Sequence, residues 1–220
     1  KRGTIAVSED GGQTWTDIKT RIWDQIAGLY FVSDKEGWAV GERGLIVHTI
    51  DGGLTWEHQT SGTAFRLNAV YFATPKRGWA VGDVGAMLHT IDGGKTWVHQ
   101  NPGVTSMFKG VFFRNENEGW VVGWPGIALH TTNGGLTWTQ QHTGTYNELY
   151  GIYFVDSTVG WIVGQWGEIL HTKDAGKTWR FQRSGTEATL NQVYFADTSH
   201  GLIVGDDGVI LTTANSGTKW

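Results

Sequence analysis

Apolar residues in this chain form short clusters that are separated by glycine-rich polar turns. Three kinds of cluster recur along the sequence, and their first complete copies are LYFV at 29–32, GWAVG at 37–41 and GLIVHT at 44–49. The clusters are short and rich in β-branched and aromatic residues, and no stretch shows the 3.6-residue periodicity of a helix. The pattern therefore predicts an all-β protein built from short strands.

The clusters repeat with a period of 41 residues. A tryptophan that closes a polar turn marks each period, at Trp15, Trp56, Trp97, Trp138, Trp179 and Trp220. Each full repeat contains four strand-like runs, which we name A to D: the L-x-x-V-x-F run, the G-W-x-V-G run, the G-x-I-x-H-T run and the T-W-x-x-Q run. A period of about 40 residues with four strands is typical of a β-propeller blade. We predict one β-propeller domain over residues 1–220.

The number of blades follows from counting the runs. Six C–D hairpins and five A–B pairs predict five full blades and an N-terminal half blade. An open ring would leave unpaired strand edges, which natural sheets avoid. We therefore expect the sequence to be part of a six- or seven-bladed ring.

The turn between strands C and D contains the best-preserved segment, TIDGGLTW at 49–56 and TIDGGKTW at 90–97. An aspartate here can accept hydrogen bonds from backbone N–H groups of its own turn, and glycines permit a positive φ. A catalytic aspartate is needed once, whereas this position recurs in every repeat. We therefore predict a structural role for these six residues: Asp10, Asp51, Asp92, Asn133, Asp174 and Asn215.

This hairpin is similar to the Asp-box, also called the bacterial neuraminidase repeat. The longer pattern, GWAVG followed by G-x-I-x-HT-x-DGG-x-TW and Q-x-SGT, resembles the photosystem II stability/assembly factor family and its bacterial relatives over essentially the whole chain. The resemblance implies a non-enzymatic propeller that binds a protein, such as a subunit of a membrane complex under assembly. It also implies an exported protein, in the periplasm or the thylakoid lumen.

Histidines and tryptophans also recur with the 41-residue period. Equivalent strand-C positions in adjacent blades should lie well over about 10 Å apart, too far for one zinc ion to bind several of them. We therefore predict structural roles and no metal site for His48, His89, His130 and His171. The strand-B tryptophans are predicted core residues: Trp38, Trp79, Trp120 and Trp161, with Leu202 in the last repeat.

Candidate binding residues are those that break the repeat. Because strands alternate in direction, the D–A loops and B–C turns should share one face of the propeller. Exposed aromatic residues beside arginines are typical of a surface that binds protein or glycan. The predicted partner-binding residues are Trp23, Arg43, Phe65, Arg66, Trp124, Tyr146 and Trp166. The alternative is that the turn tryptophans only cover loop backbone.

Composition restricts the partner further. Seventeen Lys and Arg against twenty-one Asp and Glu give a net charge of −4, which does not favour nucleic acid as a partner. Cysteine is absent, and no apolar run is long enough for a transmembrane helix. No cofactor is expected.

The alternative function is a glycan-binding or glycan-hydrolysing propeller, because sialidases share the Asp-box. Resemblance to sialidases would imply three arginines around a carboxylate and a tyrosine nucleophile paired with a glutamate. Arg21, Arg43 and Arg66 are the candidate arginines, but Arg21 and Ile22 are followed by Trp23 rather than by the proline usual in sialidases. Strand A, which should line the ring axis, shows no carboxylate pair that breaks the repeat. We therefore expect no enzyme activity.

Overall fold

The computed structural model describes residues 3–8, 10–20 and 22–220. All regular sheets in it are antiparallel, and their strands follow one another in chain order, which confirms the predicted all-β architecture. Residues 1–100 and 101–220 form two compact units, termed unit 1 and unit 2. Compactness alone does not define a folding domain, so the single domain over residues 1–220 stays a prediction.

Unit 1 contains a two-stranded hairpin and two four-stranded sheets. The hairpin pairs β1 (Ile5–Val7) with β2 (Thr16–Ile18). The sheets comprise β3 (Ile26–Phe31), β4 (Gly37–Gly41), β5 (Ile46–Thr49) and β6 (Glu57–Gln59), then β7 (Leu67–Phe72), β8 (Gly78–Gly82), β9 (Met87–Thr90) and β10 (Val98–His99).

Unit 2 contains two four-stranded sheets and one three-stranded sheet. They comprise β11 (Met107–Phe113), β12 (Gly119–Trp124), β13 (Ile127–Thr131) and β14 (Thr139–Gln141); β15 (Leu149–Phe154), β16 (Gly160–Gly164), β17 (Ile169–Thr172) and β18 (Arg180–Gln182); and β19 (Leu190–Phe195), β20 (Gly201–Gly205) and β21 (Ile210–Thr213). The last sheet has three strands where the repeat count predicted four. In the four-stranded sheets the fourth strand directly follows the Asp-box tryptophan, and Trp220 is the last residue of this sequence.

Stacked aromatic rings join neighbouring sheets within each unit. The indole of Trp38 is fully buried between the imidazole of His48, with ring centroids 4.6 Å apart, and the ring of Phe72 in the next sheet, 3.5 Å away. In unit 2, Trp161 is stacked in the same way between His171 at 4.8 Å and Phe195 at 3.8 Å. The strand-B tryptophans are core residues, as predicted.

The glycine before each of these tryptophans is required by packing. A Cβ atom on Gly37 would lie 2.6 Å from the ring of Phe31 on the neighbouring strand. Such a contact is far shorter than van der Waals distance, so a side chain at this position would displace the ring. The Gly-Trp pair of the repeat thus combines a close contact with strand A and a ring that reaches the next sheet.

Backbone hydrogen bonds show which connections share an end of each sheet. At one end, the N–H of Asp83 in a B–C turn donates to the carbonyl of Arg66 in a D–A loop, at 2.9 Å. At the other end, the N–H of Gly93 in an Asp-box donates to the carbonyl of Lys76 in an A–B loop, also at 2.9 Å. Equivalent bonds recur in unit 2, which confirms within each sheet the predicted pairing of loops.

Candidate functional site

Each Asp-box is a turn closed by its own side chains. In the second copy, the N–H of Thr55 donates to Oδ1 of Asp51 at 2.9 Å, and the Thr55 hydroxyl donates to Oδ2 at 2.6 Å. The hydroxyl of Thr49 accepts the N–H of Gly53 at 2.9 Å, and both glycines of this turn have a positive φ. The hydrogen bonds from the Thr55 hydroxyl and N–H lower the pKa of Asp51 to about 2.

Asparagine builds the same turn without a charge. Oδ1 of Asn133 accepts the N–H of Thr137 at 3.0 Å, and its Nδ2 donates to the Thr137 hydroxyl at 2.8 Å. The reversed donor and acceptor roles at the hydroxyl keep both bonds. The turn thus requires an acceptor for the backbone N–H and does not require a carboxylate.

The Asp-box tryptophans extend the contact to the preceding sheet. Nε1 of Trp97 donates to Oε1 of Gln59 at 3.1 Å, and Nε2 of Gln59 donates to the carbonyl of Gly93 at 3.0 Å. One repeat earlier, the position of this glutamine is occupied by Ile18, which cannot accept a hydrogen bond from a side chain. Nε1 of Trp56 therefore donates to the carbonyl of Gly53 in its own turn, at 2.9 Å. The glutamine of the T-W-x-x-Q run therefore connects strand D of one sheet to the Asp-box turn of the next sheet by hydrogen bonds.

The recurring histidines stack on the strand-B tryptophans. His89 lies against Trp79 with ring centroids 4.9 Å apart, and burial, together with the positive charge of Arg77, lowers the pKa of His89 to about 4. Burial also lowers the pKa values of His130 and His171. Among the described residues, no group of three or more His, Cys, Asp or Glu side chains is arranged to hold a metal ion.

The B–C turns hold non-glycine residues in the left-handed region. Arg43, Val84, Trp166 and Asp207 occupy equivalent positions with φ between 54° and 59°. L-residues rarely adopt this conformation, and it is least favourable for β-branched side chains. In the B–C turn of the first unit-2 sheet, the Trp124–Pro125 peptide bond is cis.

Four of the seven predicted partner-binding residues lie in unit 1, where polar contacts connect their loops. Arg43 forms an ion pair with Asp24, the neighbour of Trp23. Arg66 donates from Nε to Oδ1 of Asn68 at 3.0 Å and from Nη1 to Oε1 of Gln25 at 3.3 Å. Both guanidinium groups are thereby positioned by the surrounding loops.

The two aromatic members of the unit-1 group are solvent-exposed. Trp23 is 66% exposed and Phe65 is also exposed. The N–H of Phe65 donates to the Thr63 hydroxyl at 3.1 Å, which fixes the loop that carries it. Arg21, a candidate arginine of the sialidase alternative, lies outside the described residues.

The other three predicted residues lie in unit 2. Tyr146 is 86% exposed, Trp166 is 70% exposed, and about half of Trp124 is exposed. The N–H of Gly126 donates to the carbonyl of Asn147 at 3.0 Å, which ties the loop of Tyr146 to the turn of Trp124. About half or more of each aromatic residue is therefore open to solvent, and its role in binding stays a prediction.

A polar cluster in strand A of unit 2 was missed at the level of sequence. The hydroxyl of Tyr150 donates to Oε2 of Glu148 at 2.9 Å, and Nζ of Lys109 lies 3.2 Å from Oε1 of Glu148. The strand register shifts between Leu149 and Gly151, next to Tyr150. Burial, followed by the hydrogen bond to Glu148, raises the pKa of Tyr150 to about 12. A Tyr–Glu pair is one part of the sialidase pattern, but a pKa of about 12 keeps the Tyr150 hydroxyl protonated near neutral pH.

Glu168 is a second residue that was missed. It stands at the second position of the G-x-I-x-H-T run, where the other full repeats have Leu45, Ala86, Ile127 and Val209 and the N-terminal half repeat has Thr4. Its side chain is only 7% exposed, and burial raises the pKa of its carboxyl group. The break in the apolar pattern was visible in the sequence. Its partners were not, because they come from a loop about 20 residues earlier.

No helix within the described residues is long and apolar enough to cross a membrane. Among curated proteins, none matches this chain significantly by sequence.

Three solved structures are similar to this chain. A structure of YCF48 bound to D1 peptide has 18% sequence identity and a TM-score of 0.51, covering 98% of this chain and 99% of that chain. YCF48 from Cyanidioschyzon merolae has 18% identity and a TM-score of 0.45, covering 86% and 95%. An ancestral GH74 enzyme has 11% identity and a TM-score of 0.64, covering 86% of this chain and 31% of that chain.

A family model also matches this chain. The model described as photosynthesis system II assembly factor YCF48 matches residues 6–101, 61–145 and 137–220. These overlapping matches span most of the sequence, and the repeated Asp-box sheets agree with the predicted β-propeller. The chain therefore belongs to the family of the photosynthesis system II assembly factor YCF48.

Proposed function

We propose that this chain is a non-enzymatic assembly factor that binds a segment of a membrane-complex protein. The observation that carries the proposal is the family match over most of the chain. A similar propeller is YCF48 bound to D1 peptide, so a D1-like segment is the first partner to test. The location implied by the family, periplasm or thylakoid lumen, stays a prediction.

The B–C turns and D–A loops provide side chains suited to such a partner. In unit 2, Trp124, Tyr146 and Trp166 offer rigid aromatic rings, which typically supply much of the binding energy of an interface. In unit 1, Arg43 and Arg66 offer guanidinium groups that are already positioned by carboxylate and amide partners. A positioned guanidinium loses little further freedom when it binds a carboxylate or a carbonyl group.

Binding of a synthetic D1 peptide to the whole chain tests the proposal. We expect measurable binding by biolayer interferometry and a loss of at least about tenfold in affinity for Trp124→Ala/Trp166→Ala, as expected for interface aromatic residues. Leu136→Ala is the matched control, because Leu136 is exposed in an Asp-box turn of unit 2, at the other end of its sheet.

Two results would count against the proposal. One is the absence of peptide binding by the folded wild-type chain. The other is an equal loss of affinity in Leu136→Ala, because binding would then not depend on the B–C turns.

A further inference from the structure

A buried carboxylate in unit 2 occupies a position that is apolar in the four other full repeats and is Thr4 in the N-terminal half repeat. Glu168 directly follows the 3₁₀ turn Gln165–Gly167, and its side chain is 93% buried, since 7% is exposed. Burial of a carboxylate is costly unless hydrogen bonds or an opposite charge compensate it. A substitution of this kind in a packed repeat needs a compensating partner.

Only one of the two carboxylate oxygens of Glu168 has hydrogen-bond donors within the protein. Oε2 of Glu168 accepts hydrogen bonds from Nδ2 of Asn147 at 2.6 Å and from the hydroxyl of Thr145 at 3.1 Å. Oε1 is buried and has no hydrogen-bond partner among the described residues. The carboxylate is thus held by one oxygen, while the other can still accept a donor.

Glu168 lines an open cavity of about 560 Å³ in unit 2. Two exposed aromatic residues, Trp166 and Phe181, line the same cavity. Two exposed charged residues, Arg183 and Glu187, lie at it as well. The exposed charges of Arg183 and Glu187 offset each other and are screened by solvent, so the buried charge of ionised Glu168 is the one that favours a cation in the cavity.

We propose that this cavity binds the ε-ammonium group of a lysine side chain from the protein partner. The inference rests on the proposed protein-binding function and specifies the chemistry of one contact. The ammonium group would donate to Oε1 of Glu168, and the aliphatic stem of the lysine would pack against Trp166 and Phe181. Aromatic faces also attract a desolvated cation.

The geometry favours lysine over arginine. Only one oxygen of Glu168 is without a partner, whereas a guanidinium group binds a carboxylate best through both oxygens. An ammonium group is a compact donor that suits a single acceptor. Oε1 is buried in the unbound protein, so binding requires neighbouring side chains to move. Trp166 and Arg183 line the cavity and are exposed.

Titration of the whole chain with a lysine derivative tests this proposal. The probe is Nα-acetyl-lysine methylamide, and its comparison is the norleucine derivative, which has the same chain without the ammonium group. Binding is followed by the indole N–H resonance of Trp166 in ¹H–¹⁵N spectra, assigned with Trp166→Phe. We expect the lysine derivative to bind in about the millimolar range and the norleucine derivative at least about tenfold more weakly.

Two variants isolate the buried carboxylate. Glu168→Gln keeps its shape, and Glu168→Leu introduces the residue that the first full repeat carries as Leu45, so both are expected to fold. Each should weaken binding of the lysine derivative at least about tenfold. Glu187→Gln is the matched control, because it removes an exposed carboxylate from the same cavity and should change the affinity less than about threefold.

Three results would overturn the proposal. Equal binding of the two derivatives would show that the ammonium group is not recognised. An equal loss in Glu187→Gln would indicate general charge attraction. Binding that appears only in Arg183→Ala would show that Arg183 itself occupies the cavity.

The two peptide experiments also separate this inference from the proposed function. If the lysine derivative binds but the D1 peptide does not, the lysine site is supported and D1 is the wrong partner. If the D1 peptide binds but the lysine derivative does not, the protein-binding function is supported and the lysine site is wrong.

Discussion

At the scale of single residues, the role of a side chain was predictable where its partners are close in sequence. The aspartate of TIDGGLTW bonds to Thr55, four positions away, so its turn could be expected from the octapeptide alone. The environment of Glu168 could not, because Asn147 and Thr145 reach it from another strand connection. Sequence shows that a residue breaks the pattern, but not which atoms remain without a partner.

The low pKa of Asp51 predicts a specific dependence of stability on pH. Its pKa is about 2 in the folded protein against 3.8 as the ordinary value, so the folded state binds fewer protons than the unfolded state between these values. The stabilisation by the carboxylate is complete above about pH 4 and is lost as the pH falls towards 2. We expect Asp51→Asn to have a lower melting temperature than the wild type at pH 7. The difference between the two melting temperatures should shrink as the pH is lowered from 4.

The natural Asn133 provides the matched comparison. Asn133→Asp should place a carboxylate in the same hydrogen-bonded geometry. Its melting temperature should therefore exceed that of the wild type at pH 7, and this gain should shrink as the pH is lowered from 4. Melting temperatures measured by differential scanning calorimetry between pH 3 and 7 would test both variants. A constant difference between Asp51→Asn and the wild type over this range would contradict the predicted role of the charge.

At the scale of elements, glycine and tryptophan spacing located the strands, but did not predict the conformation of the B–C turns. Each of the 3₁₀ turns contains a glycine with positive φ as its third residue, yet the preceding residue is also left-handed, whether it is Arg43, Val84 or Trp166. These turns hold unfavourable residues because backbone contacts fix them, including the bond from the N–H of Asp83 to the carbonyl of Arg66. Strain at such positions is common in functional loops.

Relief of this strain should stabilise the protein. Val84 is β-branched, exposed and left-handed, with φ of 57°. Asparagine adopts this conformation more readily than valine does, so Val84→Asn should increase the free energy of unfolding by about 1 kcal/mol. Urea denaturation followed by tryptophan fluorescence measures the change.

Leu54→Asn is the control for this substitution. Leu54 is also an exposed apolar turn residue, but it is not among those with positive φ. We expect no gain in stability there. An equal gain in both variants would mean that removal of an exposed apolar side chain, and not backbone strain, causes the effect.

At the scale of the whole molecule, the 41-residue period predicted the order and pairing of nearly all strands. This succeeded because each sheet is formed by consecutive strands, so that one repeat contains its own pairing partners. The last sheet, with three strands, departs from the predicted count. The number of blades in a closed ring stays a prediction. Fold similarity also extends to a GH74 enzyme, so function has to be argued from side chains.

The cluster of Lys109, Glu148 and Tyr150 in unit 2 lacks a carboxyl group that is free for glycoside hydrolysis. Such enzymes need one carboxyl group as an acid and a second group free to act as nucleophile or base. Glu148 is engaged by Lys109 at 3.2 Å and by the hydroxyl of Tyr150 at 2.9 Å, and the pKa of Tyr150 is raised to about 12. We therefore expect no release of fluorophore from fluorogenic sialosides and β-glucosides above the buffer rate between pH 4 and 8.

If fluorophore were released in that assay, variants of Glu148 and Tyr150 would show whether this cluster catalyses the hydrolysis. Tyr150→Phe removes the hydroxyl, and Glu148→Gln removes the charge that pairs with Lys109. Hydrolysis that both substitutions abolish, and that Leu136→Ala leaves intact, would assign the activity to this cluster and overturn the non-enzymatic proposal. Hydrolysis that survives both would exclude Glu148 and Tyr150 as its source.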